Sequence, residues 1–404
     1  GQQYGALQRL TDHLPTGAAS GPRQCLWKIV ARQACLASGA IERPIVFGGN
    51  DRPGVMMASA VSTYVNRFGV SPGRRTLVFT TTDSGWQTAL DLIEAGYPPV
   101  AVVEARSAGP EAAMTQAKAA GVEVLLDSRV ADVGGAPVKW AEVVSGAGRR
   151  RIAVDCVAMA GGWNPAIGLG SNLGHRPVWS ERLHSFVMAE DGPPGFIAAG
   201  SAAGDLSLAA TLAGGVRAAQ RAAEVLGRVL ANPAIPRADD EPCALNPLWH
   251  VAEARTKAFV DFQHDVTVSD IGLAAREGFT SVEHLKRYTT LGMATDQGKT
   301  GQLNAHGVLA DALGKSIAEA GTILSRPPYH PVAIGAFAGG HRDAHFRPTR
   351  YTSGHQWALE QGATFVDAGQ WKRAQWFARD GETHWRQSVD REVLAVRNAV
   401  GLCD

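Results

Sequence analysis

The sequence predicts an α/β fold built around a parallel sheet, and three observations carry that prediction. Residues 76–155 alternate strand and helix patterns in β-α-β-α-β order, which calls for parallel strands with right-handed crossovers. Two segments in which a strand runs into a turn of small residues, LASGAIERP (36–44) and GFIAAGSAAGDLSLAATLAGG (195–215), flank that unit. Glycine, 46 of 404 residues, exceeds the roughly 7% of average usage and suits close packing of helices on a sheet.

Taken in order, residues 1–75 open with a predicted polar helix and then a strand in CLWKIVARQACLASGA. Turn residues follow in ERPIVFGGNDRPGVM, then a helix over Met57–Arg67 with apolar residues at helical spacing. RTLVFT is an apolar strand, and WQTALDLIEAG is a helix closed by a C-cap glycine. PPVAVVEAR and EAAMTQAKAAG repeat the pair, and VEVLLDS is a third strand before a hairpin whose tip carries GAGRRR. AVDCVAMAGGWNP adds a buried strand and a glycine turn. The segment from Gly195 gives a short strand, a glycine turn and a long small-residue helix.

ANPAIPRADDEPCALNP (231–247), with four prolines, reads as a linker. Residues 248–325 are mostly helical (VSDIGLAAREGF, SVEHLKRYTTLG, NAHGVLADALG, SIAEAG), and RPPYHPVAIGAFAGG (326–340) is a second connector. The tail from His341, rich in Trp, Arg and His, starts another domain.

Bulk composition excludes several functions. Hydrophobic residues at 45% and charged residues at 19% are too apolar for disorder. A net charge of +1 predicts no nucleic-acid partner and no polybasic membrane contact. No apolar run approaches the roughly 20 residues of a membrane span, and the first residues lack a signal-peptide pattern. The scattered Cys25, Cys35, Cys156, Cys243 and Cys403 form no C-x-x-C pair and are expected to be reduced thiols of a cytoplasmic protein. There is no initiator Met, and both ends are expected to be cut from a longer chain.

The stretch LVFTTTDSGWQTALDL (77–92) has the outline of a dinucleotide-binding turn. Laid on G-x-G-x-x-G it offers Thr80, Thr82 and Gly85. Only the third glycine, which lets helix and sheet pack closely, survives. Glu104 stands where an acidic residue would hold a ribose, yet a Thr Cβ at the second position would push a pyrophosphate away. The unit either binds a dinucleotide without two of its glycines or is kept as a structural fold.

Ser38, Gly39 and Ala40 would let the backbone approach a cofactor, and Gly200, Ser201 and Gly204 lie in a turn at a helix start, where N–H groups can face one. The competing readings are an ordinary strand exit and a buried small-residue helix. His341, Asp343, His345 and His355 lack the spacing of a metal helix, so no metal is expected. Arg149–Arg151 read as a solvated face, and Trp357, Trp371, Trp376 and Trp385 as core or interface aromatics. Ser201 lacks the G-x-S-x-G frame of a serine hydrolase. No catalytic residue is assigned.

LASGAIERPIVFGGNDRPGVM, FTTTDSGWQTALDL, DFQHDVTVSDIGLAAREGFTSVEHLKRYTTLGMATDQGKT and RPPYHPVAIGAFAG together resemble the alpha subunits of heterotetrameric sarcosine oxidases. The resemblance implies an α/β, two-dinucleotide-binding-domain flavoprotein (disulfide-reductase-like) fold. Residues 1–75 and 156–235 would form the first, NAD-binding domain, and 76–155 an inserted second Rossmann-like domain without nucleotide. Residues 248–325 would be a helical module resembling a degenerate iron–sulfur domain. Residues 341–404 would start an aminomethyltransferase-like folate-binding domain.

It also implies a complex with beta, gamma and delta subunits that oxidises sarcosine to glycine with oxygen, releasing hydrogen peroxide. With tetrahydrofolate the one-carbon unit becomes methylenetetrahydrofolate. FAD would sit in the beta subunit, FMN at the alpha–beta interface and NAD in this chain. By position, Ser201, Leu206 and Leu208 match the family's NAD contacts, Leu208 without a side-chain hydrogen bond. The main phosphate-binding glycines would lie before Gly1 and the folate contacts after Asp404. Lys299 and Arg326 would suit the FMN phosphate. The iron–sulfur ligand positions of related modules fall on Asp261, Gln263, Asp296 and Gly301, none of them the Cys that such clusters need. The alternatives are part of an opine or amine dehydrogenase complex and a non-catalytic scaffold subunit.

Overall fold

The computed structural model describes residues 2–401 apart from 16, 19, 190, 191, 232 and 242; Cys403 lies outside the described residues. The chain forms two compact units, Gly1–Tyr4 with Val30–Pro331, and Gly5–Ile29 with Val332–Asp404.

The opening segment is strand where a helix was expected. β1 (Gln2–Arg9) and β2 (Gln24–Ala31) pair with each other. Gly5 weakens a helix by about 1 kcal/mol, and β2 offers a ladder partner rich in residues that favour strands, Trp27, Ile29 and Val30.

The first unit is organised by a five-stranded parallel sheet. Its strands are β5 (Val55–Met57), β6 (Thr76–Thr80), β7 (Ala101–Glu104), β8 (Glu123–Leu125) and β12 (Cys156–Ala160), in the order β5-β12-β6-β7-β8. The sheet therefore reaches past residues 76–155 on both sides. Every residue of β6, β7 and β12 is buried, as expected for parallel strands covered on both faces.

On one face Leu77, Phe79, Val103 and Val157 pack against Val130, Val133 and Val143. Those residues come from an antiparallel sheet of β9 (Arg129–Gly134), β10 (Trp140–Ser145) and β11 (Gly148–Ala153). On the other face Val78, Val102 and Ala158 meet α1 (Ala58–Phe68), α2 (Asp83–Glu94) and α3 (Glu111–Ala119) through Val61, Trp86, Leu92 and Ala117. The period-2 alternation of each strand sorts these residues into the two layers.

Beside this unit, β3 (Ala34–Leu36) pairs in parallel with β16 (Phe196–Ala198), and β4 (Ala40–Glu42) pairs antiparallel with β13 (Trp163–Pro165). The chain thus leaves and re-enters the same place. Between them lie α4 (Gly168–Ser171) and the antiparallel pair β14 (Val178–Ser180) and β15 (Ser185–Val187). After β16 come a 3-10 turn (Gly200–Ala203) and α5 (Leu208–Val225), capped by the Ser207 side chain, which accepts from Ala210 N–H.

The helical module holds α6 (Val268–Arg276), α7 (Val282–Thr289), α8 (Gln302–Leu313) and α9 (Ile317–Ala320). Thr267/Asp270 and Ser316/Glu319 form capping boxes at the starts of α6 and α9. Ile271, Leu285, Leu291, Val308 and Leu309 make its core. In the second unit, Arg350–Tyr351, Trp371–Phe377 and Ala363–Ala368 form a three-stranded sheet, with helices His355–Glu360 and Trp385–Asn398. Trp357, Trp371 and Trp385 are exposed, so they are not core residues of the described chain.

Candidate functional site

The β6–α2 turn closes on itself. Thr80 Oγ1 donates to Thr82 O at 2.7 Å and accepts the Thr82 N–H at 3.1 Å. At Gly85 a Cβ would run into Thr80 and lie 3.1 Å from Ala160 Cβ, so this glycine serves helix–strand contact. Glu104 is fully buried and accepts from Trp86 Nε1 (2.9 Å), Arg106 N–H (3.0 Å) and the Arg106 guanidinium (3.0 and 2.8 Å). Arg106 also pairs with Asp83 at 2.9 Å. The carboxylate expected at a ribose is thus committed inside the protein.

The chain's own linker lies across this turn. Asp83 N–H donates to Ala244 O (3.1 Å), and Ala244 N–H donates to Asp83 Oδ2 (2.8 Å). Asn246 N–H reaches Thr81 O (3.1 Å), Arg106 Nη1 reaches Ala244 O (3.0 Å), and the Thr81 hydroxyl donates to Asn246 O. Leu245 sits opposite Thr82 in a β-bridge.

The flanking segments line a cavity of about 630 Å³. Ala40, Ser201 and Leu206 converge there with the first turns of α2, Trp163 and Arg182. Gly39, at φ +74°, has open space where a Cβ would stand, so its backbone is approachable. Ser38 instead donates to Ala166 O at 2.7 Å. Gly200 (φ +61°) shapes the turn, and Gly204 O accepts from Arg182 at 3.0 Å. Leu208 does not line the cavity; its side chain is exposed and its N–H is 3.4 Å from Glu241 Oε2. The five predicted residues Ser38, Gly39, Gly200, Gly204 and Leu208 therefore do not line the cavity.

Lys299 and Arg326 are not brought to one point. Lys299 lines a second, smaller cavity and donates to Tyr329 O at 2.7 Å, whereas Arg326 is exposed and outside that lining. Burial lowers the Lys299 ammonium below its ordinary value and raises the Tyr329 phenol.

The positions that the resemblance matched to iron–sulfur ligands have hydrogen bonds and close backbone packing. Asp261 accepts from Gln263 N–H (2.9 Å), His264 N–H (3.2 Å) and Gly292 N–H (2.7 Å). A Cβ at Gly301 would overlap Val260 O. These residues do not fit a cluster.

Sequence reasoning missed two buried groups. Arg43 is fully buried; it donates to Asn164 Oδ1 (2.9 Å) and His184 O (2.8 Å), stacks over Trp249 at 5.0 Å, and leaves Nη1 without a partner. Burial pulls its guanidinium down to about 9. His306 is also fully buried, with neither ring nitrogen partnered, and burial pushes it down to about 3. The one local signal was a histidine inside a helix otherwise buried from Leu303 to Ala310.

A family model described as "Sarcosine oxidase A3 domain" matches residues 255–341, and one described as "GCVT N-terminal domain" matches residues 354–404. The chain is 46% identical over 406 residues to the sarcosine oxidase alpha subunit of Rhizobium meliloti (strain 1021), covering 100% of this chain and 41% of that protein. Over its whole length the chain is similar to sarcosine oxidase alpha subunits. A second alpha subunit, from Corynebacterium sp. (strain P-1), is 41% identical over 99% of this chain and 43% of its own length.

The chain thus spans about two fifths of the length of these curated relatives. An opine oxidase component of Rhizobium meliloti (strain 1021) is more distant, at 23% identity over 76% of each chain. Among solved structures, L-proline dehydrogenase from P. horikoshii superposes with a TM-score of 0.57 at 21% identity, over 78% of this chain and 60% of that one. The expected α/β two-dinucleotide-binding fold, with a helical module and an aminomethyltransferase-like segment, is the fold of this chain. Among the described residues, no helix is long and apolar enough to cross a membrane.

Proposed function

We propose that this chain is the NAD-holding part of the alpha subunit of a sarcosine oxidase complex. The observation that carries the reading is the cavity where the exit and return segments of the first domain meet, in a chain 46% identical along its whole length to a sarcosine oxidase alpha subunit. Ala40, Ser201 and Leu206 would contact the dinucleotide, and the open backbone at Gly39 would let it approach. In the complex, sarcosine is oxidised to glycine, oxygen accepts the electrons as hydrogen peroxide, and tetrahydrofolate takes the one-carbon unit. Amine oxidation on FAD belongs to the beta subunit, and FMN lies at the alpha–beta interface. Gamma and delta subunits complete a cytoplasmic heterotetramer.

The inserted Rossmann-like unit is read as structural and without nucleotide. The committed Glu104 and the linker across the β6–α2 turn support that role, and they are the one feature favouring the scaffold reading for part of the chain.

The test is the NAD content of the purified complex after denaturation. One NAD per alpha subunit is expected. Ser201→Trp, which fills the cavity, should lower it. A complex without stoichiometric NAD would refute the binding role, and NAD content unchanged in Ser201→Trp would refute this cavity as its site.

A further inference from the structure

The linker that meets the β6–α2 turn also forms one wall of the larger cavity. Glu241, Cys243 and Leu245 line it opposite Ala40, Ser201 and Leu206. The linker is tied on both sides of that wall. At the start of α5, in the return segment, the Ser207 hydroxyl donates to Asp240 Oδ1 at 2.5 Å, and Leu208 N–H lies 3.4 Å from Glu241 Oε2. At the start of α2, in the inserted unit, Ala244 and Asp83 exchange bonds of 2.8 and 3.1 Å, and Arg106 donates to Ala244 O at 3.0 Å.

The two anchors are unequal. The α2 end is held by backbone and by packing. Asn246 N–H donates to Thr81 O at 3.1 Å, and Leu245 bridges to Thr82. The Leu245 side chain closes on Gly162, where an added Cβ would lie 3.0 Å from it. The α5 end is held by the side chains of Asp240 and Glu241, both exposed. Carboxylates at an exposed helix N-terminus hold weakly, because water and salt screen them. That end lets go first, and the α2 end stays as the hinge.

We propose that the Asp240–Glu241 end of this linker is a gate on the cavity, opening away from α5 to admit and release the dinucleotide. The inference rests on the reading of this cavity as the NAD site. Kinetics separate a gate from a contact. Loosening a gate speeds entry and exit alike, whereas deleting a contact with the bound molecule speeds exit alone. The experiment follows labelled NAD in the purified complex: its uptake after dialysis, and its release under a chase of unlabelled NAD.

Asp240→Ala/Glu241→Ala should raise both rates about three- to thirty-fold, as the loss of two exposed helix-end contacts does. NAD content at saturation should stay at one per alpha subunit. Arg150→Leu, whose pair with Glu123 does not involve the linker, should leave both rates unchanged. Faster release with unchanged uptake would make the two carboxylates contacts of the dinucleotide and overturn the gate. Both rates unchanged in the double variant, with NAD bound, would overturn the gate and leave the NAD site standing. A wild-type complex that takes up no NAD would refute the site itself, and the gate with it.

Discussion

Arg106→Leu is the sharpest probe of the closed β6–α2 turn. The Arg106 side chain is 12% exposed and lies between Glu104 at 0% and Asp83 at 9%. Burial alone would lower its guanidinium, but the hydrogen bonds and charges of Glu104 and Asp83 hold it above the ordinary value. Removing it leaves two carboxylates without their cation and deletes the bond to Ala244 O. Breaking a buried pair from one side costs about 3–5 kcal/mol, and each 1.4 kcal/mol is about a factor of ten.

Protected amides in 76–94 and 243–247 should therefore exchange roughly a hundred- to a few-thousand-fold faster by hydrogen-exchange mass spectrometry. Arg150→Leu is the control. Its partner Glu123 is 47% exposed and Arg150 itself 50%, so the loss should stay under about 1 kcal/mol. An Arg106→Leu protein whose 243–247 amides exchange less than about ten-fold faster would refute the claim that the linker is locked to this turn.

Two further outcomes follow from buried polar groups. Glu42 is raised to about 7, by burial that outweighs its bonds from Ser59. A carboxyl whose folded value is raised holds its proton in the native state, so its contribution is lost as pH rises from about 4.5 through 7. Glu42→Gln should flatten the fall in denaturant stability between pH 5 and 8, by up to roughly 3 kcal/mol; an unchanged slope would contradict this. Asp261→Ala removes three backbone partners and should destabilise the helical module by about 2–4 kcal/mol, read as a lower melting transition.

The strand–turn–helix of the inserted unit was legible in the string LVFTTTDSGWQTALDL, because strand and helix periodicities and the third glycine act within a short window. Gly85 could be assigned to helix–strand packing from the string alone. The segments SGAIERP and GSAAGDLSL could likewise be named as neighbours, although only Ala40, Ser201 and Leu206 of their residues line the cavity. The polar helix expected at the amino end was wrong, because pairing with β2 outweighs a weak local preference.

The sequence by itself determined the β-α-β-α-β order of residues 76–155, the small-residue turns that flank that unit, and the absence of thiolates at Asp261, Gln263, Asp296 and Gly301. Only the tertiary structure decided that Glu104 is committed to Trp86 and Arg106, that Ala244 meets Asp83 across 161 positions, and that Arg43 meets Asn164 across 121. The physical reason is range. Periodicity and capping are properties of a few consecutive residues, whereas burial of a charge and closure of a turn by a distant segment exist only once the chain has packed.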